Sequence, residues 1–174
     1  METSELEAPP LHRPLIERAI AGETLRALGL PPPITVPEAT TLLAVLEILK
    51  ERHIGCVLVT GPGGRLSGIF TERDLMTRVP LRSQGWADES VQGYMTPEPE
   101  ALQPNDSIAW ALKLMHVGGY RHVPLTDEEG RPVGVVSIKD IVDFIVDLFP
   151  APVLNLPPDP RQKPDSEFMG GGED

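Results

Sequence analysis

Two segments of the chain place a hydroxyl side chain three residues before a carboxylate, Thr71-Glu-Arg-Asp74 and Ser137-Ile-Lys-Asp140. At the start of a helix each pair would form a capping box that stabilises the helix by about 1 kcal/mol. Beside a groove, the same helix start offers free N–H groups to an anion, and an ionised Asp accepts hydrogen bonds from a diol. Both interpretations stay open, because a side chain that caps a helix can also contact a ligand.

Arg121 and His122 stand next to each other at the start of a predicted strand. Side chains alternate along a strand, so we expect one of the two to face a groove and the other not. Arg121 fits either a phosphate ligand or a surface ion-pair partner. Cys56 begins another apolar strand without a basic neighbour, which favours a buried thiol over a nucleophile.

Two histidines and two tryptophans are predicted to be structural. His53 and His116 end matching helices, where a positive charge near the C-terminus is mildly favourable. Trp86 and Trp110 are expected to be packing residues. A small enzyme that uses Cys56, His116 or His122 is the weakest of the functional hypotheses, and we predict no catalytic residues.

An internal repeat positions these side chains. A shift of 66 residues aligns Val57–Asp74 with Val123–Asp140 without a gap, and six of the eighteen positions are identical. Hydrophobic periodicity predicts the order β-α-β-β-α in both halves, with a hairpin turn before each second strand. The sequence therefore predicts a mixed α/β (α+β) fold in which two repeats pack sheet to sheet as a pseudo-symmetric pair.

The repeats set the expected domain boundaries. Repeat 1 should span residues 30–80 and repeat 2 residues 95–149, with a linker at 81–94. Apolar residues at helical spacing predict an extra N-terminal helix over 11–29, ended by Gly29 and the prolines at 31–33. Residues 1–10 and the Pro/Gly-rich acidic tail at 150–174 are too polar to fold alone and are predicted to be disordered.

Composition excludes several classes of protein. The chain has 174 residues with 15 Lys+Arg against 26 Asp+Glu, and this net charge of −11 argues against a nucleic-acid polymer as partner. No apolar run is long enough for a membrane helix, and the first ten residues lack the pattern of a signal peptide. A single Cys favours a reducing compartment, so we expect a cytoplasmic protein without a metal site.

Four motifs resemble the signatures of cystathionine-β-synthase (CBS) domains, which occur in tandem pairs. They are Gly68-Ile-Phe-Thr-Glu-Arg-Asp74, Tyr94-Met-Thr-Pro97, Gly119-Tyr-Arg-His-Val-Pro124 and Gly134-Val-Val-Ser-Ile-Lys-Asp140. The resemblance covers roughly residues 30–148. It implies clefts between the repeats that bind AMP, ADP, ATP or S-adenosylmethionine, with no obligatory cofactor, and it leaves open whether Mg²⁺ accompanies ATP.

The resemblance also implies roles for particular residues. Asp74 and Asp140 would accept hydrogen bonds from ribose, Thr71 and Ser137 would lie near ribose and phosphate, and Arg121 and His122 would meet phosphates. Adenine would be framed by residues of the extended segments and first hairpin strands, namely Thr35, Val36, Val57, Ala101, Leu102 and Val123. Gly68 and Gly134 leave room for close approach of a ligand. Because repeat 1 has Gly55-Cys56 where repeat 2 has Arg121-His122, we predict unequal clefts.

Two functions remain as main hypotheses. The first is a non-catalytic sensor that binds an adenosine ligand and signals to an unknown regulated protein by changing shape. The alternative is a dimerisation or scaffold module with degenerate, ligand-free clefts. In both cases the resemblance implies a homodimer, with Ile141, Ile145, Leu148 and Phe149 of the closing helix as interface residues.

Overall fold

The fold is described from a computed structural model that covers residues 20–148. Its first repeat contains β1 (Thr35–Pro37), α1 (Leu42–Arg52), β2 (Cys56–Thr60), β3 (Leu66–Thr71) and α2 (Glu72–Thr77). The second contains β4 (Thr96–Pro97), α3 (Ile108–Gly118), β5 (His122–Thr126), β6 (Pro132–Ser137) and α4 (Ile138–Leu148). The chain divides into two units after Ile141, so residues 142–148 are described by themselves. The predicted mixed fold with two related repeats is confirmed.

The strands form two sheets. One has the order β1-β2-β3-β4 and the other pairs β5 with β6. β1 runs parallel to β2, whereas β2 and β3 form the predicted antiparallel hairpin. In the second repeat, the predicted extended segment at Ala101 and Leu102 is reduced to one parallel bridge between Leu102 and Leu125.

β4 joins the sheet of the other repeat. Although Thr96 and Pro97 follow the predicted linker, they pair with Ile69 and Gly68 on β3. Two residues are too few to show a strand period in a sequence, so this pairing was not predictable from hydrophobicity. The pairing places the beginning of the second repeat beside the end of the first.

Like β4, the segment that precedes each repeat is hydrogen-bonded to the other repeat. The Leu42 N–H donates to the Glu89 carbonyl (2.8 Å) and the Ile108 N–H to the Glu23 carbonyl (3.1 Å). A second pair of bonds, also related by 66 residues, joins Val91 to Thr40 (2.9 Å) and Leu25 to Asp106 (2.9 Å). The internal repeat therefore extends back to residues 23 and 89, and each leading segment is hydrogen-bonded to the other repeat.

The exchange corrects the predicted N-terminal helix. Residues 11–19 lie outside the described part of the chain, and of residues 20–29 only 20–22 are α-helical. Thr24 is extended (φ −92°, ψ 160°) and bridges to Ser107. A 3-10 turn follows over Leu25–Leu28, and Gly29 ends it at φ 60°. One continuous helix is wrong because Leu25, which is 1% exposed, is held among buried residues by its bond to the second repeat.

Part of the predicted linker at 81–94 belongs to the hydrophobic core of the first repeat. Val91 is fully buried in the first core, and Trp86 packs against the same cluster, which confirms Trp86 as a packing residue. Trp110 was predicted wrongly: half of it is exposed, with the Lys113 ammonium 4.4 Å from the ring centroid. An apolar residue on the outer face of an amphipathic helix is not identified as such by residue type alone.

β2 is buried on both faces. Val57 and Val59 belong to the first core, which also contains Leu42 and Phe70. The alternate residues Cys56 and Leu58 form a second cluster with Ile69, and Leu66 and Val135 pack against it. Val135 lies on β6, and the Leu66 N–H donates to the Gly130 carbonyl (2.9 Å), so the two hairpins meet as predicted.

Candidate functional site

A cavity of about 390 Å³ lies between the end of the first repeat and the beginning of the second. Three stretches of chain form most of its wall: the end of β3 with the start of α2, the segment from Thr96 to Glu100, and the segment from Gly118 to His122. Gly55, Arg78 and Pro124 complete the wall. The exchange of β4 between repeats is what brings these stretches together, since Thr96 pairs with Ile69 on β3.

Four of the predicted site residues line this cavity, namely Thr71, Asp74, Arg121 and His122. Thr71 and Asp74 come from the first repeat, and Arg121 and His122 from the second. The other predicted residues do not line it: Thr35, Val36, Val57, Ala101, Leu102, Val123, Ser137 and Asp140.

Thr71 and Asp74 form a complete capping box. The Thr71 N–H (2.9 Å) and hydroxyl (2.7 Å) donate to Asp74 Oδ2, and the Asp74 N–H donates to Thr71 Oγ1 (3.3 Å). Arg78 Nε approaches Asp74 Oδ1 at 3.2 Å, and Asp74 is only 6% exposed. An ionised carboxylate offers about four acceptor sites, so three of them are occupied and capacity for a ligand hydroxyl remains.

The corresponding box in the second repeat has the same geometry. The Ser137 N–H (2.7 Å) and hydroxyl (2.6 Å) donate to Asp140 Oδ2, and the Asp140 N–H donates to Ser137 Oγ (3.2 Å). This box caps α4, yet neither residue lines the cavity. The two boxes therefore have the same local structure but different surroundings, because only the first lines the cavity. The prediction of unequal clefts expects such a difference.

Arg121 is the cavity residue most suited to an anion. Within residues 20–148 its guanidinium forms neither an ion pair nor a hydrogen bond, whereas its carbonyl accepts from the Ile138 N–H (3.0 Å). The other two cavity arginines are engaged: Arg73 donates to the Gly119 carbonyl (2.9 Å), and Arg78 to Asp74 and the Met95 carbonyl (2.9 Å). The surface ion pair considered for Arg121 thus has no partner in the described chain.

His122 is packed against the backbone of Gly55. A Cβ at Gly55 would lie 3.2 Å from His122 Nε2, so a larger residue there would press on the imidazole. Burial and the Arg121 charge lower the pKa of His122, while Asp140 and Glu72 act weakly in the opposite direction. The imidazole is therefore neutral at pH 7 and can offer a ligand one donor and one acceptor.

Two predicted roles are corrected, and three site residues are buried. Val36, Val57 and Val123 are at most 4% exposed and do not line the cavity, so their role in framing adenine stays a prediction. Gly68 leaves no space for a ligand, because a Cβ there would lie 2.3 Å from the Met95 sulfur. A Cβ at Gly134 would lie 3.2 Å from Leu125 Cδ1. Both glycines make room for side chains of the chain itself.

Residue-level reasoning missed the acidic and aromatic part of the wall. Tyr120 donates to Glu100 (2.7 Å), and the pKa of Tyr120 is raised to about 12 by burial and by this bond. A Cβ at Gly118 would lie 2.0 Å from the Tyr120 ring, so glycine is needed there. The motifs around Pro97 and Tyr120 were a usable signal, but they gave no indication that the two segments meet.

Cys56 is a buried thiol, as predicted. It is 7% exposed, and burial raises its pKa to about 12, with a smaller contribution from the Asp140 and Glu72 charges. A thiol with such a pKa is protonated at neutral pH and a poor nucleophile.

Two features are absent from the part of the chain that the structure describes. No helix in this part of the chain is long and apolar enough to cross a membrane. Within the same residues, no three His, Cys, Asp or Glu side chains are grouped so that they could hold a metal ion.

A repeated β-α-β-β-α unit with a cavity between its copies is typical of a class of paired domains. The family model for the CBS domain matches the chain twice, at residues 25–80 and 91–147. The chain belongs to the CBS domain family. The two matches begin 66 residues apart and include the exchanged leading segments at Leu25 and Val91.

Individual relatives agree with this assignment. A CBS domain-containing protein of Arabidopsis thaliana is 33% identical over 113 residues, which are 65% of this chain but only 21% of the plant protein. The crystal structure of a CBS-domain containing protein from Agrobacterium tumefaciens is 31% identical, with a TM-score of 0.62, over 69% of this chain and 91% of that one. A CBS domain protein from Pyrobaculum aerophilum, complexed with AMP, has the same fold at 24% identity, with a TM-score of 0.64, over 72% and 98% of the chains.

Proposed function

We propose that this chain is a non-catalytic regulatory module that binds an adenosine-containing ligand in the cavity between its repeats. The observation that carries the proposal is that Arg121, whose guanidinium has no partner in the described chain, lines the same cavity as Asp74. A phosphate would pair with Arg121, and a ribose hydroxyl would donate to the remaining acceptor site of Asp74.

Size and lining support a nucleoside. Pockets for small ligands have volumes of about 300–1,000 Å³, and this cavity of about 390 Å³ lies in that range. Ile69, Pro97, Pro99 and Pro124 supply apolar surface for a base. AMP is the ligand of the Pyrobaculum relative, and this observation favours adenosine among the nucleosides.

Calorimetric titration of the full chain with AMP, ADP, ATP and S-adenosylmethionine tests the proposal. We expect binding of at least one of them, and we expect Arg121→Ala to weaken binding of a phosphorylated ligand about tenfold or more, through loss of a charged hydrogen bond. Arg82→Ala is the matched control, because Arg82 is also exposed but lies outside the cavity. No heat with any ligand at millimolar concentration would reject the proposal.

Binding would be passed to another protein through a change in the contact between the repeats. The cavity wall takes Thr71 from one repeat and Arg121 from the other, so a ligand that holds both also fixes their separation. We expect this chain to be cytoplasmic, and co-purification in the presence and absence of the bound nucleotide would identify the regulated protein. A partner captured equally under both conditions would indicate scaffolding instead of sensing.

The alternative, a dimerisation module with ligand-free clefts, has one observation in its favour. Asp74 is already satisfied in part by Thr71 and Arg78, so its burial does not require a ligand. A homodimer is part of both hypotheses, and light scattering during size-exclusion chromatography would measure it. Ile141 is not available for the expected interface, because it is fully buried within its own chain. Val142 and Leu148 are more than 40% exposed and remain available.

A further inference from the structure

The cavity wall carries more negative than positive charge. Its charged residues are Glu72, Asp74, Glu98 and Glu100 against Arg73, Arg78 and Arg121. Arg78 neutralises Asp74 at 3.2 Å, which leaves three carboxylates against two guanidiniums. The nearby imidazole of His122 adds no positive charge at pH 7, because its pKa is lowered by burial and by Arg121.

Two of these carboxylates lie on one segment, which is fixed through the backbone of Glu98 and the side chain of Glu100. The Glu98 N–H donates to the Ser67 carbonyl (3.0 Å), and Glu98 takes a left-handed conformation (φ 45°) that carries the chain along the cavity wall. Glu100 accepts from the Tyr120 hydroxyl (2.7 Å), and the ring of Tyr120 is fixed over Gly118. The Glu100 carboxylate therefore cannot turn away from a ligand without breaking its bond to Tyr120, and the backbone of Glu98 keeps this residue in the cavity wall.

From this distribution of charge we infer that Glu98 and Glu100 are specificity determinants that restrict the cavity to a nucleoside monophosphate and reject the triphosphate. The inference rests on the proposed function. One phosphate, with about two negative charges, can pair with Arg121, while Arg73, which lines the same cavity and stays bonded to the Gly119 carbonyl, adds a second positive charge. Each further phosphate adds negative charge beside carboxylates, and like charges at a few Å repel.

Mg²⁺ that accompanies a triphosphate is held mainly by the phosphates and water, with one or two protein carboxylates. Within residues 20–148, no three His, Cys, Asp or Glu side chains are grouped so that they could hold the ion by themselves. The effect of the metal on the repulsion is therefore measured directly, with and without Mg²⁺.

Titrations of the full chain with AMP and with ATP, each with and without Mg²⁺, test the inference. We expect AMP to bind about tenfold or more tightly than ATP under both conditions. Glu98→Gln combined with Glu100→Gln should reduce this preference several-fold, and the amide at position 100 keeps an acceptor for Tyr120. Glu128→Gln, in the hairpin between β5 and β6, removes a charge outside the cavity and should leave the preference unchanged.

The outcomes separate this inference from the proposed function. ATP binding as tightly as AMP, or an unchanged preference in the double variant, would overturn the inference while the proposed function stands. Absence of binding by AMP, ATP and S-adenosylmethionine would overturn both. Tight binding of ATP only with Mg²⁺ would overturn the inference and assign the carboxylates to metal coordination.

Discussion

His122 connects the chemistry of a single residue to the stability of the fold. Burial and Arg121 lower its pKa in the folded chain below the usual 6.5, so the unfolded state binds more protons just below that pH. The stability that the neutral His122 contributes is therefore fully present above pH 6.5, and it is lost as the pH falls below 6.5 through the lowered pKa of the folded state. We expect the free energy of unfolding in urea to fall between pH 7.5 and about pH 5.5.

The variant His122→Gln should lose this part of the pH dependence, because glutamine does not titrate. His116→Gln replaces an exposed imidazole in the last turn of α3 and is the matched control. Identical pH profiles for the wild type and His122→Gln would show that His122 is protonated equally in both states, contrary to its environment between Gly55 and Arg121.

At the residue scale, sequence and structure agree best on the capping boxes. At the start of a helix, a hydroxyl and a carboxylate three residues apart can each accept a hydrogen bond from the backbone N–H of the other residue. Both predicted boxes are formed. The valines at positions 36, 57 and 123, which the family resemblance suggested as adenine contacts, are buried in the interior, and this role stays a prediction. The resemblance identified the strand correctly, but the direction of a side chain depends on which face of that strand meets the core.

Gly68 shows how one element depends on its neighbour in the sheet. It stands on β3 opposite Pro97 of β4, and the Met95 side chain fills the space that a Cβ would need. Gly68→Ala should lower the free energy of unfolding by about 1–3 kcal/mol through overpacking, as measured in urea. In a Met95→Ala background the same substitution should cost less, because the clashing side chain is gone.

Gly134→Ala is the matched substitution at the equivalent position of β6. A Cβ there would meet Leu125 at 3.2 Å, a tight contact that a small displacement relieves, so we expect a smaller loss of stability than at Gly68. Equal losses at the two positions, or additive losses in the Gly68→Ala/Met95→Ala double variant, would contradict the role assigned to Met95.

At the scale of elements, helices and hairpins were predictable because their signals are local. Thr41 and Thr71 cap α1 and α2, Gly119 ends α3 at φ 67°, and the hairpin turns carry glycine. β4 and the leading 3-10 turns were not predictable, because two to four residues have no readable period and their hydrogen-bond partners lie in the other repeat. Short elements of this kind exist only through tertiary contacts.

The whole molecule makes the two repeats unequal, and a pair of matched variants measures the difference. Asp74→Ala and Asp140→Ala each remove the carboxylate of a capping box, so each should lower stability by about 1 kcal/mol or somewhat more. Only Asp74 lines the cavity. We expect Asp74→Ala to weaken AMP binding by about 1–3 kcal/mol, through loss of a charged hydrogen bond, and Asp140→Ala to leave it unchanged.

Calorimetry at a temperature where both variants are folded gives the affinities, and urea unfolding gives the stabilities. Equal weakening by the two variants would indicate that a second cleft at Asp140 also binds AMP. Unchanged affinity in both would remove ribose recognition from Asp74 and restrict its role to the helix cap and the ion pair with Arg78.

The sequence by itself determined the repeat, the order of its elements, the capping boxes and the membership in a family, because each depends on residue type and spacing along the chain. Only the tertiary structure decided which residues share a cavity. Thr71 and Arg121 are fifty positions apart, and they meet because β4 and the leading segments cross to the other repeat. Local sequence patterns do not predict this crossing, because it is stabilised by the burial of Leu25 and Val91 against residues that are distant in the sequence.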